Sequence, residues 1–330
     1  MTSSFGYSLG DPTLESSLAA GLSAVESQLQ ESVKSEDQFV SQASRHLVDA
    51  GGKRFRPMLV LLAAHLGDAG NPDIQKAAVV VELTHLATLY HDDVMDEASR
   101  RRGTDSANAR WDNSVAILTG DYLFSRASDL LADLGPEAVR IQARTFERLV
   151  TGQIRETVGP RDGEDVVEHH LRVLADKTGS LIATSGRFGA MFAGCDDRTV
   201  EIMTRYGERI GVAFQLVDDL VDVASETTLS GKTPGTDLRE GVQTLPALFV
   251  LRDNKPADER LRDLLSRPLP DNAEHTEALE LLRAHPAIEE ARAVARERAD
   301  EAWQATAMLP DGSVRRALQS LCDYVVSRTG

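Results

Sequence analysis

Leu14, Leu18, Leu22, Val25 and Leu29 stand three or four residues apart, the interval that stacks side chains on one face of an α-helix, and the same interval governs most of the chain. A second stretch carrying Phe39, Val40, Ala43, Leu47 and Val48 stops at Gly51 and Gly52, and Pro57 suits the first turn of the next helix. Pro72 opens the run that passes through AAVVVELTHLATLYHDD. Further helices are predicted over 114–134, 136 to about 158, 165 to about 193, 198 to about 224 and 244–254, and through the C-terminal third, with the turn-rich GPRDG at 159–163 as a break. No alternation of apolar and polar positions competes with this period, and aromatic residues, which favour strands, make up only 5% of the chain. The pattern predicts an all-α fold. Residues 1–12 read as a flexible tail and 13–330 as a single domain, with Arg267 to Asn272 as a helix connection. The one long irregular segment is TTLSGKTPGTDLREGVQT, 227–244, and long loops in compact domains tend to be lids or binding loops.

Charge narrows the function classes. With 36 basic against 52 acidic residues the net charge is −16, which argues against nonspecific nucleic-acid binding. An acidic chain that handles a polyanion must do so through local basic groups and metal. Cys195 and Cys322 form no CxxC or CxxH pair, so neither a disulfide framework nor a zinc site is indicated, and a reducing cytosol fits. The N-terminal stretch lacks the basic start and apolar run of a secretory signal, and no segment approaches the roughly 18 apolar residues of a membrane span. Peripheral membrane contact stays open as an exit for an apolar product.

Two helical patterns run into the same acidic spacing, DDxxD: Asp92, Asp93 and Asp96 in HDDVMD, and Asp218, Asp219 and Asp222 in QLVDDLVD. Residues four apart share a helix face, so each motif presents paired carboxylates that repel unless a cation sits between them. Carboxylates are ligands for hard cations, and Mg2+ prefers one or two of them together with waters and phosphate oxygens. One such motif could be a solvated helix end; two, each preceded by apolar sequence, point to a site for Mg2+ around a diphosphate.

Basic residues suited to phosphate stand nearby in sequence. GGKRFRP supplies Lys53, Arg54 and Arg56 directly after a helix stop, with glycines that let the backbone come close. Arg100, Arg101 and Arg102 precede Gly103 and come after Asp96 by about one turn. A surface salt bridge there would contribute less than about 1 kcal/mol; the other reading gives metal to the carboxylates and phosphate oxygens to the arginines. His169 and His170 read as surface helix residues, and His91 adjoins the first acidic pair without an assigned role.

GGKRFRP, HLATLYHDDVMDEASRRRG, GDYL at 120–123, Lys177-Thr178, FQLVDDLVD and GKTPGTDLREG with TLP after it form an ordered set that covers nearly the whole chain. In order and spacing it resembles the trans-polyprenyl diphosphate synthases, the head-to-tail prenyltransferases. The resemblance implies a homodimer or heterodimer of all-α subunits, each a helical bundle around a deep apolar cavity with the two acidic motifs opposed at its mouth. It implies Asp92, Asp96 and Asp218 as Mg2+ ligands, with Asp93, Asp219 and Asp222 in or next to the metal's shell, and three Mg2+ ions per site with substrate bound. Arg101 would hold the allylic diphosphate with Lys177, Thr178, Gln215 and Lys232. Lys53, Arg56, His85 and Arg102 would hold isopentenyl diphosphate, with Arg54 nearby.

The implied reaction is ionisation of the allylic diphosphate, attack by the double bond of isopentenyl diphosphate, and loss of a proton to the released diphosphate, so no Ser-His-Asp or Cys-His arrangement is needed. Short-chain members of the family tend to block the wall before the first acidic motif with Phe or Tyr. Here Val81, Thr84, Ala87 and Thr88, spread at about 5.4 Å per helical turn, occupy that stretch and DDVMD carries no insertion; by the resemblance this points to a product of about seven to ten isoprene units, the range of quinone side chains. A geranylgeranyl diphosphate synthase is the shorter-chain alternative. Val242 stands where the family commonly has Lys after DLxEG, which removes one expected cation from the 231–244 loop. A class I terpene cyclase would carry an Asn/Ser/Glu metal motif in place of the second DDxxD, and a noncatalytic partner subunit would lack one or both motifs.

Overall fold

The computed structural model describes residues 9–224 and 234–328. Its first helices are α1, Pro12–Ser32, α2, Gln38–Asp49, α3, Phe55–Ala64, and α4, Pro72–Met95. The middle of the chain forms α5, Ala107–Arg110, α6, Asn113–Leu134, α7, Pro136–Val158, α8, Val166–Leu174, α9, Ser180–Phe192, and α10, Asp197–Ala224. The remainder is α11, Thr236–Glu240, α12, Leu245–Asp253, α13, Glu259–Leu265, α14, Asn272–Ala284, α15, Ala287–Ala305, and α16, Ser313–Ser327. The all-α expectation therefore holds, and the boundaries obey local chemistry. Asp11, Asp37, Asn71, Asp112, Asp165 and Asp271 each accept a backbone N–H at the start of a helix, satisfying donors that the first turn leaves unpaired. Pro12 and Pro72 open α1 and α4, where a missing N–H costs nothing.

Three local features differ from the periodic reading. The expected tail is part of the fold at least from Leu9, which is fully buried, donates its N–H to Glu15 at 2.6 Å and leads into the Asp11 cap; residues 1–8 lie outside the described ones. A two-stranded antiparallel hairpin pairs Arg100 with Asp105 and Arg101 with Thr104. Two residues per strand are too few to show alternation, so periodicity could not find it; its two turn residues, Arg102 and Gly103, both take positive φ, as a tight hairpin requires. The helix expected over 165–193 is interrupted by a π-helical turn at Ala175–Gly179.

The chain divides into two compact units, whose boundaries fall inside α7, α10 and α16, after the first residue of α9 and in the 3-10 turn Thr306–Met308. The first unit comprises 1–146, 181–207 and 308–318. Its core includes Leu59, Leu62, Leu83, Leu86 and Phe188, together with Tyr90, whose hydroxyl donates to the carbonyl of Ala43 at 2.6 Å and accepts from the N–H of Leu47 at 3.2 Å. A buried tyrosine satisfied in this way ties α4 to α2. The second unit comprises 147–180, 208–307 and 319–330, with Val217, Leu220, Val223, Val250, Leu264 and Ala302 among its buried side chains. Among the described residues no helix is long and apolar enough to cross a membrane.

Candidate active site

In the first unit, α4 carries Glu82, His85 and Asp92 to Asp96 toward its C-terminal end, and Asp96 is the residue that closes the helix. Glu82, a charged residue inside an apolar run, is 2% exposed and accepts from Arg54 Nη1 at 2.8 Å, with Arg102 Nη2 at 3.8 Å. Arg54 also grips Glu26 with Nε at 2.8 Å and Nη2 at 2.9 Å, and donates to the carbonyl of Val48 at 3.0 Å. Its backbone is left-handed, φ 47°. The Arg54 guanidinium is therefore consumed by the protein, and the residue serves as a strut under the loop rather than as an outward phosphate donor.

Around that strut the other cations crowd. Arg102 lies over Gly52 and donates to the carbonyls of Leu47, at 3.2 Å, and Gly51. Gly52 has φ +151°, a conformation that favours glycine, and a Cβ there would sit 2.8 Å from the Arg102 guanidinium carbon and displace that side chain. Burial, together with Arg102 nearby, brings Arg56 down to about 10 although Glu82 and Asp92 oppose the shift, and its Nε is buried with no hydrogen-bond partner among the described residues. Burial pushes His85 well below its ordinary value, and Arg56, Arg102, Arg101 and Arg54 push it the same way, so the imidazole is neutral at neutral pH. Lys53 is exposed in the loop between α2 and α3.

Asp93 is fully buried. Its Oδ1 accepts from Arg101 Nε and Nη2, both at 2.6 Å, while Oδ2 is buried with no partner among the described residues. Burial raises its pKa above the ordinary carboxylate value and Arg101 opposes that rise. The hairpin thus presents Arg101 with its orientation set by Asp93. His91, whose role the sequence left open, contacts the carbonyl of Ile117 at 3.1 Å and Asp121 at 3.4 Å on α6.

The second unit gathers the other acidic motif near the end of α10. Thr178 Oγ1 donates to Gln215 Oε1 at 3.5 Å, and Gln215 Nε2 donates to Asp219 Oδ1 at 3.0 Å. Lys177 is paired with Glu156. Asp218 Oδ1 accepts from Arg328 Nη2 at 3.0 Å, and the Arg328 guanidinium lies 5.1 Å from the centre of the Phe214 ring. Asp222 Oδ2 accepts from the N–H of Asp237 at 3.2 Å. Burial raises Asp219 to about 7, with Asp218 and Asp222 adding to the effect against the bond from Gln215. Burial likewise raises Asp237 to about 8, with Asp222 and Asp219 next in size. His169 and His170 are not surface residues: His169 is 9% exposed, and His170, lowered to about 4 by burial, lies 4.0 Å from Asp219 Oδ2. Lys232 lies outside the described residues.

Sequence reading missed Glu82, Asp237 and Arg328. The first had a visible signal, an acid within AAVVVELTHL; the other two acquire meaning only through chain folding. The donor sets fit a hard divalent cation. Four carboxylates crowd the second unit's site, two of them held well above their ordinary range by burial and mutual repulsion, and one Asp93 oxygen in the first unit is buried without a partner among the described residues. Among the described residues no three carboxylate, imidazole or thiol groups come together as a metal site of their own; Mg2+ can be held by one or two carboxylates with waters and phosphate oxygens.

These shifts set a stability trend. Asp219 and Asp237 keep protons when folded that the unfolded chain releases near pH 4, so the folded state binds more protons and loses stability as pH rises through about 7 to 8. Buried His85 and His170 act in the opposite sense while the unfolded imidazole is still partly protonated, and their contribution has faded by about pH 7.5. Thermal unfolding with chelator should show Tm falling from about pH 7.5 to about 8.5, and Mg2+ with inorganic diphosphate should raise Tm more at the upper end of that range than at the lower. A pH-independent Tm would contradict the burial of these two carboxyls.

A polyprenyl synthetase family model matches residues 37–282. The nonaprenyl diphosphate synthase of Mycobacterium tuberculosis (strain ATCC 25618 / H37Rv) is 51% identical over 328 residues, covering 98% of this chain and 97% of its own. Among solved structures, geranylgeranyl pyrophosphate synthase from Corynebacterium glutamicum, complexed with calcium and isoprenyl diphosphate, gives a TM-score of 0.87 at 46% identity and covers 97% of this chain and 99% of its own. A decaprenyl diphosphate synthase from Rhodobacter capsulatus gives 0.88 at 34% identity, with 96% and 99% covered.

Proposed function

The chain belongs to the polyprenyl synthetase family, and on that premise we propose that it is a prenyltransferase that condenses isopentenyl diphosphate with an allylic diphosphate, head to tail, to give a long-chain all-trans polyprenyl diphosphate of about seven to ten isoprene units, a length suggested by the absence of bulky side chains on the helical turns before the first acidic motif. The observation that supports this best is the cluster of Arg56, Arg101 and Arg102 around a neutral His85 beside Asp92 and Asp93. Cations crowded in this way repel one another, and a diphosphate is the ligand that turns the repulsion into binding.

Asp92, Asp96, Asp218 and Asp222 would hold Mg2+, which when bound neutralises charge on the leaving diphosphate. Lys53, Arg56 and Arg102 seat isopentenyl diphosphate, and neutral His85 adds a hydrogen bond without adding to the crowding. Arg101, held by Asp93, takes the allylic diphosphate together with Lys177, Thr178 and Gln215; Lys232 is assigned there from the sequence alone. The allylic C–O bond ionises, the double bond of isopentenyl diphosphate attacks the allylic carbon, and the released diphosphate takes the proton. A second copy of the chain is the natural cover for the apolar residues that the helices expose: Ile117 and Leu118 on α6 in the first unit, and Val150, Ile154 and Val158 on α7 in the second.

Val81, Thr84 and Ala87 are fully buried on α4, and Thr88 is 8% exposed. Ala87→Phe should shorten the product by one or more isoprene units, read by reversed-phase chromatography after dephosphorylation; an unchanged distribution would remove Ala87 from the chain-length wall. The reaction itself is tested with labelled isopentenyl diphosphate, Mg2+ and geranyl, farnesyl or geranylgeranyl diphosphate as primer. Products of about seven to ten units support the reading, whereas accumulation at about four units would favour the geranylgeranyl alternative.

A further inference from the structure

The π turn at Ala175–Gly179 carries Lys177 and Thr178, and it is held by one face of α7. A π turn inserts an extra residue into the helical repeat and rotates the helix beyond it, so its register must be fixed from outside. Arg148 Nε donates to Asp176 Oδ1 at 3.0 Å and Arg155 Nη1 donates to Asp176 Oδ2 at 2.6 Å, so both carboxylate oxygens are engaged. The Arg148 side chain is steadied in turn by Glu208, which accepts from Nη2 at 2.6 Å. Between the two arginines Gly152 lets the backbones approach: a Cβ there would stand 2.6 Å from the backbone nitrogen of Lys177 and 3.0 Å from Asp176 Cβ. Positions 148, 152, 155 and 156 share a face of α7, and the last of them pairs with Lys177. Asp176 itself is 14% exposed at its side chain, and the reaction assigns it no contact with substrate.

We propose that Asp176 is a positioning residue for the allylic diphosphate: gripped at both oxygens by Arg148 and Arg155, it locks the π turn against α7 and thereby sets where Lys177 and Thr178 stand. This rests on the reading that Lys177 and Thr178 bind that diphosphate. Thr178 continues the chain of contacts through Gln215 to Asp219, so a shift of the turn reaches the second acidic motif. The isopentenyl diphosphate residues all belong to the other unit, which gives the test an internal reference.

Steady-state kinetics of the full chain with Mg2+ should show Asp176→Asn raising the KM of the allylic primer about tenfold while the KM of isopentenyl diphosphate stays within about twofold. Arg155→Gln, at a side chain 41% exposed, removes one arm of the grip and should give a smaller rise of the same kind even if Asp176→Asn does not fold. Lys177→Ala is the reference for losing the contact itself. If Lys177→Ala raises the allylic KM but Asp176→Asn and Arg155→Gln leave it unchanged, or raise both substrates' KM alike, the positioning role is overturned. If Lys177→Ala also leaves the allylic KM unchanged, the assignment of Lys177 falls and the clamp has nothing to position.

Discussion

Asp218→Ala should lower kcat by about a thousandfold, with no matching fall in Tm. A carboxylate that holds the metal opposite a leaving group contributes several kcal/mol to the barrier, and about 4 kcal/mol corresponds to three decades in rate. Stability should be spared, because the Asp218 side chain is 42% exposed and its charge adds to the repulsion that raises Asp219 and Asp237. Arg328 loses one acceptor but keeps its place on the Phe214 ring. Turnover of labelled isopentenyl diphosphate, measured over a range of Mg2+ concentrations beside a thermal melt, separates the two effects. A variant that turns over at more than a tenth of the parent rate would remove Asp218 from the metal site.

Glu82→Leu should cost about 3 kcal/mol of stability, near the low end for breaking a buried ion pair, because Arg54 keeps Glu26. For a chain of this length that is a fall of roughly 5 °C in Tm. The penalty arises from the charge left behind rather than from the bond lost: Arg54 is 8% exposed and cannot turn to water without dismantling the loop that carries Lys53 and Arg56. Arg54→Met should be destabilising for the mirror reason, leaving buried Glu82 with only Arg102 at 3.8 Å and the charge of Arg56 to offset it. The double variant should therefore be more stable than the sum of the single losses predicts. Urea denaturation of all four proteins gives the cycle, and strict additivity would show that the pair is not coupled.

The helical period disclosed most of the fold because each helix buries a continuous stripe, as Leu14, Leu18, Val25 and Leu29 do in α1. The stop at Gly51 and Gly52 and the opening at Pro72 marked ends that the structure places within a residue or two. Features built on one or two residues escaped. The Arg100–Asp105 hairpin is too short to alternate, and the π turn at 175–179 preserves enough of the helical repeat to pass as unbroken helix. The acidic motifs stood out in the sequence because two copies of one spacing, each after an apolar run, are hard to place as solvated helix ends. The sequence did not separate Arg54, whose donors the protein consumes, from Arg56, whose buried Nε has no partner among the described residues; identical side chains two positions apart differ only in their surroundings. His170 misled for the same reason, since a polar helix segment gives no sign of which face meets Asp219.

In the proposed reaction both acidic motifs hold metal around one diphosphate. The direct measurement is an experimental structure of the chain with Mg2+ and a thio-substituted allylic diphosphate that resists ionisation. The expected result is metal on the phosphate oxygens with ligands from Asp92 and Asp96 and also from Asp218, and Arg101 on the same diphosphate. Metal held by one motif alone, or a diphosphate bound away from Arg101, would contradict it.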